Sequence, residues 1–376
     1  MTVGITSAYS HKIIKSRNDL IQKIAERNVV IRIIGPEKAS EFYAYDYNRN
    51  IKYLQLRTSR GNTNIIIEFL ALIRNVTIFR KAAIDYLIVY GIKLYPSVVI
   101  AARIAGIKNI TCIVNGLGTL FIRRDLKTSL IRIIAQPTIL LSLLLSQHII
   151  FQNKDDLADI LRRMPLVSRR KCTIVNGSGV SIKNIRAEKI TNYHRVLMTS
   201  RLLSEKGVSE FADAAKILRS NYNNNLEFVF AGIVDSSSPK GLYVKLYEFE
   251  RQGILKCIFN CDNVIQLIRD SYIFVLPSYR EGTPRAVLEA MAVGRPIITT
   301  DVPGCKETVI DGYNGFIVPI KSPHILAEKI KSLLDDKALG KLMAENSRRL
   351  CEQKFDEERI NSSIVNIIFG SSGKMV

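Results

Sequence analysis

Ser278-Tyr-Arg-Glu-Gly-Thr-Pro-Arg-Ala-Val-Leu-Glu-Ala-Met-Ala-Val-Gly-Arg-Pro296 sets two carboxylates, Glu281 and Glu289, eight residues apart. An apolar run, Tyr272–Leu276, leads into this stretch, and Ile297–Thr300 follows it. The pattern reads strand, tight loop, helix over Arg285–Val293, strand. Glu281 is then expected in the loop at the helix entrance and Glu289 about two turns inside. Helical rise over eight residues separates them by roughly 12 Å. That is too far for a carboxylate pair working on one glycosidic bond, which needs roughly 5 to 9.5 Å. It suits gripping the two ends of one elongated, hydroxyl-bearing ligand.

Outward from that stretch the chain repeats the same unit. In the second half, Val196–Thr199, Phe228–Ala231, Lys256–Phe259, Tyr272–Leu276, Ile297–Thr300 and Phe316–Val318 read as strands, with helices at Glu210–Arg219, Arg285–Val293 and Pro323–Leu334. The first half gives strands at Val3–Thr6, Val29–Ile34, Ile51–Leu56, Tyr86–Tyr90, Ile110–Val114 and Ile149–Gln152. Asp19–Arg27 and Ile65–Ile73 have helical spacing, and Leu339–Phe369 reads as two more helices. Alternation of this kind predicts an α/β fold with parallel sheets covered by helices on both faces. At 376 residues the chain divides naturally into two doubly wound halves, and the change-over falls near Lys171–Asn192. Leu130–Phe151 is the most apolar tract. Arg132, Gln136 and Pro137 interrupt it, so it is read as a buried core helix opened by Pro137, with Ser142 and Ser146 as a thin polar stripe.

Charge is distributed unevenly. Residues 1–190 hold 30 Lys and Arg against 12 Asp and Glu, whereas residues 191–376 hold 24 against 22. The basic first half implies an anionic partner such as a membrane surface or a phosphate-bearing substrate. A nucleic-acid binder is disfavoured, because there is no Trp and the basic residues are not interleaved with aromatic stacking platforms. The six Cys show no C-x-x-C pair and read as scattered free thiols. Met1–Thr6 lacks a basic region ahead of its apolar run, so no secretory leader is expected.

Two cations are placed to meet an anion. Thr199-Ser-Arg-Leu-Leu-Ser-Glu-Lys-Gly207 follows a strand and precedes a helix, which sets Arg201 and Lys206 at the C-terminal edge of the sheet. Open α/β sheets bind ligands there. Arg grips oxygens with a planar fork, and Lys supplies a compact charge. Fixed cations facing a departing phosphate lower a barrier without reorganisation. Gly282, Thr283 and Pro284 are read as the opening of the next helix, whose N–H groups and dipole favour an anion.

The string Pro277-Ser278…Glu281-Gly282-Thr283-Pro284…Glu289-Ala290-Met291-Ala292…Gly294-Arg295-Pro296 resembles the E-x7-E signature of retaining glycosyltransferases of the family-4, group 1 type. Arg201, Lys206 and Gly207 resemble that family's R-x-x-x-x-K-G element. The resemblance implies the GT-B fold: two Rossmann-like domains facing a central cleft, here 1–180 for the acceptor and 181–355 for a nucleotide-sugar donor, with helix 356–369 crossing back to the first. It also implies that Arg201 and Lys206 stabilise the leaving diphosphate. Glu281 would hold sugar hydroxyls, Glu289 the ribose, Gly282, Thr283 and Pro284 the phosphates and sugar, and Gly232, after Phe228–Ala231, would lie near the base. No D-x-D motif is present. With two cations available, no metal or other cofactor is expected.

Gly91–Pro96, Ala101–Gly106 and Val114-Asn-Gly-Leu-Gly-Thr-Leu-Phe121 resemble a subgroup that extends lipid-diphosphate-linked saccharides in bacterial surface-glycan assembly. For that subgroup Gly116, Leu117 and Gly118 would approach the reacting sugar, and Arg17 and Lys93 are candidates for an acceptor phosphate. Two departures stand out: Ser7–Lys12 replaces a Gly-rich first loop, and Asn115-Gly116 stands where many relatives place a His. His11 reads as a surface residue. The implied activity is transfer from a probably UDP-linked donor to a lipid-linked acceptor, by a cytoplasmic enzyme peripheral to the inner membrane face. The alternative is a sugar-nucleotide epimerase on the same fold.

Overall fold

The computed structural model describes the chain outside residues 9, 44–50, 57–64, 119–120, 122–125, 222–225, 236–237 and 371–376, and the side chains at 10–12, 15, 43, 65–69, 126–128 and 221 are also not described. The reading of His11 therefore lies outside the described side chains. Contacts divide the chain into two units, Met1–Val175 with Glu358–Val376, and Asn176–Glu357.

The first unit is built on a seven-stranded sheet, every pairing parallel. Its strands are β1 (Thr2–Thr6), β2 (Val30–Gly35), β3 (Ile51–Gln55), β4 (Tyr86–Tyr90), β5 (Asn109–Val114), β6 (His148–Phe151) and β7 (Cys172–Ile174). They lie in the order β3-β2-β1-β4-β5-β6-β7. Side-chain alternation splits the core between two faces. Leu87, Val89, Cys112 and Val114 join one cluster, and Ile88, Tyr90 and Ile113 join the other. Helix Glu357–Phe369 packs Ile360, Ile364, Val365 and Ile368 into the second cluster, beside Val3 and Ile5. The last helix is thereby part of the first unit.

The second unit has a six-stranded parallel sheet of β8 (Arg195–Arg201), β9 (Glu227–Ile233), β10 (Lys256–Phe259), β11 (Ile273–Leu276), β12 (Ile297–Thr300) and β13 (Gly315–Val318). The order is β10-β9-β8-β11-β12-β13. In both sheets the winding reverses between the first and fourth strands, β1 and β4 or β8 and β11. The helices on either side of such a reversal diverge and leave a crevice at the strands' C-terminal ends. These two edges are where functional residues are to be sought.

Several elements differ from the sequence reading. Helix Leu126–Leu145 carries Pro137 in its interior instead of at its first position. The missing N–H is tolerated while Gln136 Nε2 donates to the Arg163 carbonyl at 3.1 Å from the neighbouring segment. The helix is also not buried as a whole: its hydroxyls Ser142 and Ser146 face inward, whereas Leu130, Ile133 and Ile134 are exposed. Helix Ile65–Ala82 is twice the length read. The helix read at Asp19–Arg27 runs from Ser10 to Ala25, with a kink at Arg17 (φ −133°, ψ 22°).

Candidate active site

Strand β8 ends on Arg201, whose side chain is exposed beyond the sheet edge. Leu202 and Leu203, both buried, pin the chain before a 3₁₀ turn, Ser204–Lys206. Gly207 closes the turn at φ 72°, and a Cβ there would stand 2.1 Å from the Pro277 carbonyl oxygen. Only glycine accepts both the left-handed backbone and that approach. The turn is thus seated against the loop that follows β11, and the Tyr279 N–H donates to the Glu205 carbonyl at 2.9 Å.

The outcome of this seating is an ion pair between residues 75 positions apart: Lys206 Nζ donates to Glu281 Oε1 at 2.5 Å. Ser278 Oγ donates to the same oxygen at 2.8 Å. The two ionic side chains are only 16% and 14% exposed, so their charges meet with little screening. A second lock holds the Glu281 backbone. Glu281 N–H donates to the Pro303 carbonyl at 3.0 Å, and a Cβ on Gly304 (φ 85°) would fall 2.4 Å from the Glu281 carbonyl oxygen. Cys305 lies buried beneath. Burial pushes its thiol up to about 12, and the nearby Glu281 charge adds to the rise.

Helix Arg285–Val293 keeps the bounds expected from the sequence, but the 282–284 loop ahead of it is not its first turn. Pro284, extended at φ −73° and ψ 109°, is its N-cap, and its carbonyl accepts from the N–H groups of Val287 (3.0 Å) and Leu288 (3.2 Å). Proline disfavours helical geometry in the residue before it, so Thr283 cannot extend the helix backward. Gly282, Thr283 and Pro284 therefore form the approach to the helix and not its first turn. Glu289 lies just over one turn in, and an estimate of its distance from Glu281 by helical rise does not hold. Its carboxylate accepts from Arg285 Nε at 2.9 Å, one turn back on the same face.

Gly232 is neither a turn residue nor outside the strand. It lies within β9, in register with Ser200 of β8 and Phe259 of β10. Arg201, Lys206, Gly232, Glu281 with the 282–284 loop, and Glu289 thus gather at the β8/β11 edge. Two partners escaped the sequence reading. Ser278 was visible in the quoted string but carried no separate signal. Glu210, which accepts from the Tyr279 hydroxyl at 2.5 Å, sits on a helix far away in sequence. Burial raises the Tyr279 hydroxyl, and its bond to Glu210 adds to the rise, so it stays a donor.

In the first unit, Gly116 (φ 117°) and Gly118 (φ 67°) follow β5. Leu117 between them is fully buried and packs its side chain into the core. Lys93 is exposed on the 3₁₀ turn Ile92–Leu94 after β4. Arg17 is half-buried and places its guanidinium 5.4 Å from the centre of the Tyr90 ring, at the β1/β4 edge. Among the described residues no cluster of His, Cys, Asp and Glu has metal-binding geometry. Asp156 and Asp336 work instead at helix starts, where Asn153 Oδ1 accepts from Asp156 N–H and Asp336 Oδ1 accepts from Leu339 N–H.

Two Rossmann-like units, one bearing this cation–carboxylate edge, have the architecture of the GT-B fold. Residues 181–350 match the family model of glycosyl transferases group 1, and this match, with the relatives below, supports reading the chain as a glycosyltransferase of that group. It is 27% identical over 374 residues, 96% of each chain, to the N,N'-diacetylbacillosaminyl-diphospho-undecaprenol alpha-1,3-N-acetylgalactosaminyltransferase of Campylobacter jejuni. It is 24% identical over 300 residues, 76% of each chain, to the UDP-Gal:alpha-D-GlcNAc-diphosphoundecaprenol alpha-1,3-galactosyltransferase of Escherichia coli. The structure resembles Anabaena HepE in complex with UDP and glucose, with a TM-score of 0.76 at 15% identity over 97% of this chain and 98% of that one. The epimerase alternative finds no support in these likenesses.

Proposed function

We propose that the protein moves a sugar from a nucleotide-sugar, UDP-linked, to a saccharide carried on a lipid diphosphate, with retention of anomeric configuration and without a metal, in the assembly of a surface polysaccharide. The observation that carries this reading is the Lys206–Glu281 pair at the β8/β11 edge, with Arg201 exposed beside it. The activities of the Campylobacter and Escherichia relatives support a lipid-diphosphate acceptor, and the Escherichia enzyme uses UDP-galactose as donor.

In this reading the bond between the anomeric carbon and the diphosphate oxygen breaks, and negative charge grows on that oxygen. Lys206 and Arg201 meet the charge in the place a divalent cation takes in other transferases. Glu281 turns its carboxylate to the sugar hydroxyls, and Glu289 holds the ribose. The acceptor hydroxyl adds to the same face of the sugar, and its proton passes to the departing phosphate oxygen. The N–H groups of the 282–284 approach and the helix behind it favour the diphosphate. The enzyme works on the inner face of the cytoplasmic membrane, where its lipid-bound acceptor lies.

Donor turnover tests the assignment. Transfer from UDP-sugars to a lipid-diphosphate saccharide is expected in wild type, undiminished by EDTA and lost in Lys206→Ala and Glu281→Ala. Unchanged transfer in both variants would defeat the site, and dependence on added Mg²⁺ or Mn²⁺ would defeat metal independence.

A further inference from the structure

Helix Leu126–Leu145 is apolar on both sides. Its inner side packs Ile139 and Leu143 into the core, with Ser142 and Ser146 buried beside them. Their hydroxyls are satisfied locally, by the carbonyls of Thr138 and Leu143 at 2.7 Å each. The outer side exposes Leu130 (62%), Ile133 (68%), Ile134, Leu141 and Leu144. These positions follow a helical stripe that Pro137, also exposed, completes. A helix serving only as a cover for the sheet carries polar residues on that side. This one does not.

The surroundings are basic. From Tyr86 to Lys171 the sequence contains 13 Lys and Arg against four acidic residues, Asp125, Asp155, Asp156 and Asp159, the last of which pairs with Arg162 at 2.5 Å. The segment after helix Lys154–Arg163 runs along the apolar helix. Its Arg163 carbonyl is met by Gln136 at the helix middle, and Lys171 Nζ reaches the carbonyls of Leu143 (2.5 Å) and Leu144 (3.1 Å) at the helix end. Between these two anchor points Leu166 is 70% exposed, and Arg162, Arg169 and Arg170 are exposed as well. Ile104, ending the neighbouring helix Tyr95–Ile104, adds another exposed apolar side chain.

We infer that this face of the first unit, the outer side of Leu126–Leu145 with the Leu166 tip and the Arg162–Arg170 rim, is the surface by which the protein seats on an anionic phospholipid leaflet. The apolar stripe enters the headgroup–acyl boundary, and the rim meets lipid phosphates. Among the described residues no helix is long and apolar enough to cross a membrane, so the helix lies along the surface. Charge selects this occupant. A patch with apolar residues at its centre and an excess of cations over carboxylates at its rim matches an acidic bilayer, and it repels a second copy of itself. The inference deepens the proposed function, since a lipid-bound acceptor requires such a seat, but it stands on exposure and charge alone.

Co-sedimentation with phosphatidylcholine vesicles, with and without phosphatidylglycerol, tests it. Wild type is expected to bind the phosphatidylglycerol vesicles and to release as salt rises. Ile133→Glu with Ile134→Glu is expected to weaken binding by about tenfold or more, and Arg169→Glu with Arg170→Glu, on an exposed turn, by a similar factor with a flatter salt dependence, each variant melting as wild type does. Equal binding of wild type and both variants overturns the inference. So does equal binding of wild type to neutral vesicles, or a wild-type dimer in solution that Ile133→Glu with Ile134→Glu converts to monomer. Transfer to a water-soluble acceptor analogue separates the two proposals. Vesicle binding without any transfer keeps the surface and defeats the activity. Transfer without vesicle binding does the reverse.

Discussion

The β8/β11 edge of the second unit and the β1/β4 edge of the first occupy the same place in the same winding, yet they are built to different standards. At β8/β11, two loops are welded by glycines whose Cβ positions are filled by backbone carbonyls, and the product is one ion pair with a hydroxyl donor on the same oxygen. At β1/β4, a cation rests on an aromatic face, and a lysine stands in the open on a 3₁₀ turn. Among the described residues, buried hydroxyls without a hydrogen-bonding partner occur on both sides, at Thr6 and Tyr90 in the first unit and at Thr199 of β8 in the second, so they do not enter the contrast. The difference suits a division of labour. Meeting phosphate charge demands cations already fixed in place, because reorganisation at the moment of reaction forfeits the gain. Recognising a variable saccharide requires only a basic, adaptable edge.

The contrast breaks if the second-unit edge turns out to be dispensable. Lys206→Ala is expected to lower kcat by about 10²- to 10³-fold, the size of effect seen when one preorganised donor is removed from a charge-stabilising site. Steady-state kinetics with saturating donor measures it. A loss confined to KM would mean that Lys206 only binds. Gly207→Ala tests the weld itself. An alanine there must hold φ near 72° and intrude on the Pro277 carbonyl, so either the turn or the β11 loop must move. A melting temperature lower by several degrees and a transfer rate down at least tenfold are expected, on the order of 2–3 kcal/mol of strain. Unchanged melting would show that the two loops are not interlocked as described.

How legible these edges were in the sequence follows from how local their causes are. The strand-loop-helix of the second unit was readable because each signal lies within a few residues: Pro284 ahead of the helix, Gly294 closing it, apolar runs on either side. Arg285–Val293 was read with the same bounds that the structure gives. The pairing of Lys206 with Glu281 was not readable. It requires β8 and β11 to be neighbours, which no local pattern states, and the sequence reading gave the two groups to separate parts of the ligand. In the first unit the signals mislead. Leu126–Leu145 is apolar almost all round, so periodicity cannot find its ends or its inner face, and Pro137 reads as a start although it lies mid-helix. Strand β7, three residues long, offers no pattern at all.

A smaller effect sharpens the comparison within the second unit. Glu289 is tied to Arg285 on its own helix and not to the opposite loop, so its loss leaves the weld intact. Glu289→Gln keeps the shape and removes the charge-assisted acceptor. A rise of about tenfold in donor KM with a modest change in kcat is expected, read from the same kinetics. An equal fall in kcat would place Glu289 with Lys206 among the groups that act in the transition state.

The smallest expected effect falls on the first unit. Arg17 sits at the kink of its helix, half-buried over Tyr90, whose hydroxyl burial raises and the Arg17 charge partly lowers. Arg17→Ala removes both the cation and a contact with the ring, at a cost of about 1 kcal/mol in folding stability. If the β1/β4 edge meets the acceptor, its KM should rise a few-fold while donor KM and the rate at saturating acceptor stay as they were. Arg17→Lys should restore acceptor KM in part if charge is what the acceptor feels, since lysine keeps the charge and loses the planar fork. If both variants instead lose rate without any change in acceptor KM, the first-unit edge belongs to the chemistry, and the contrast drawn between a fixed donor edge and an adaptable acceptor edge is wrong.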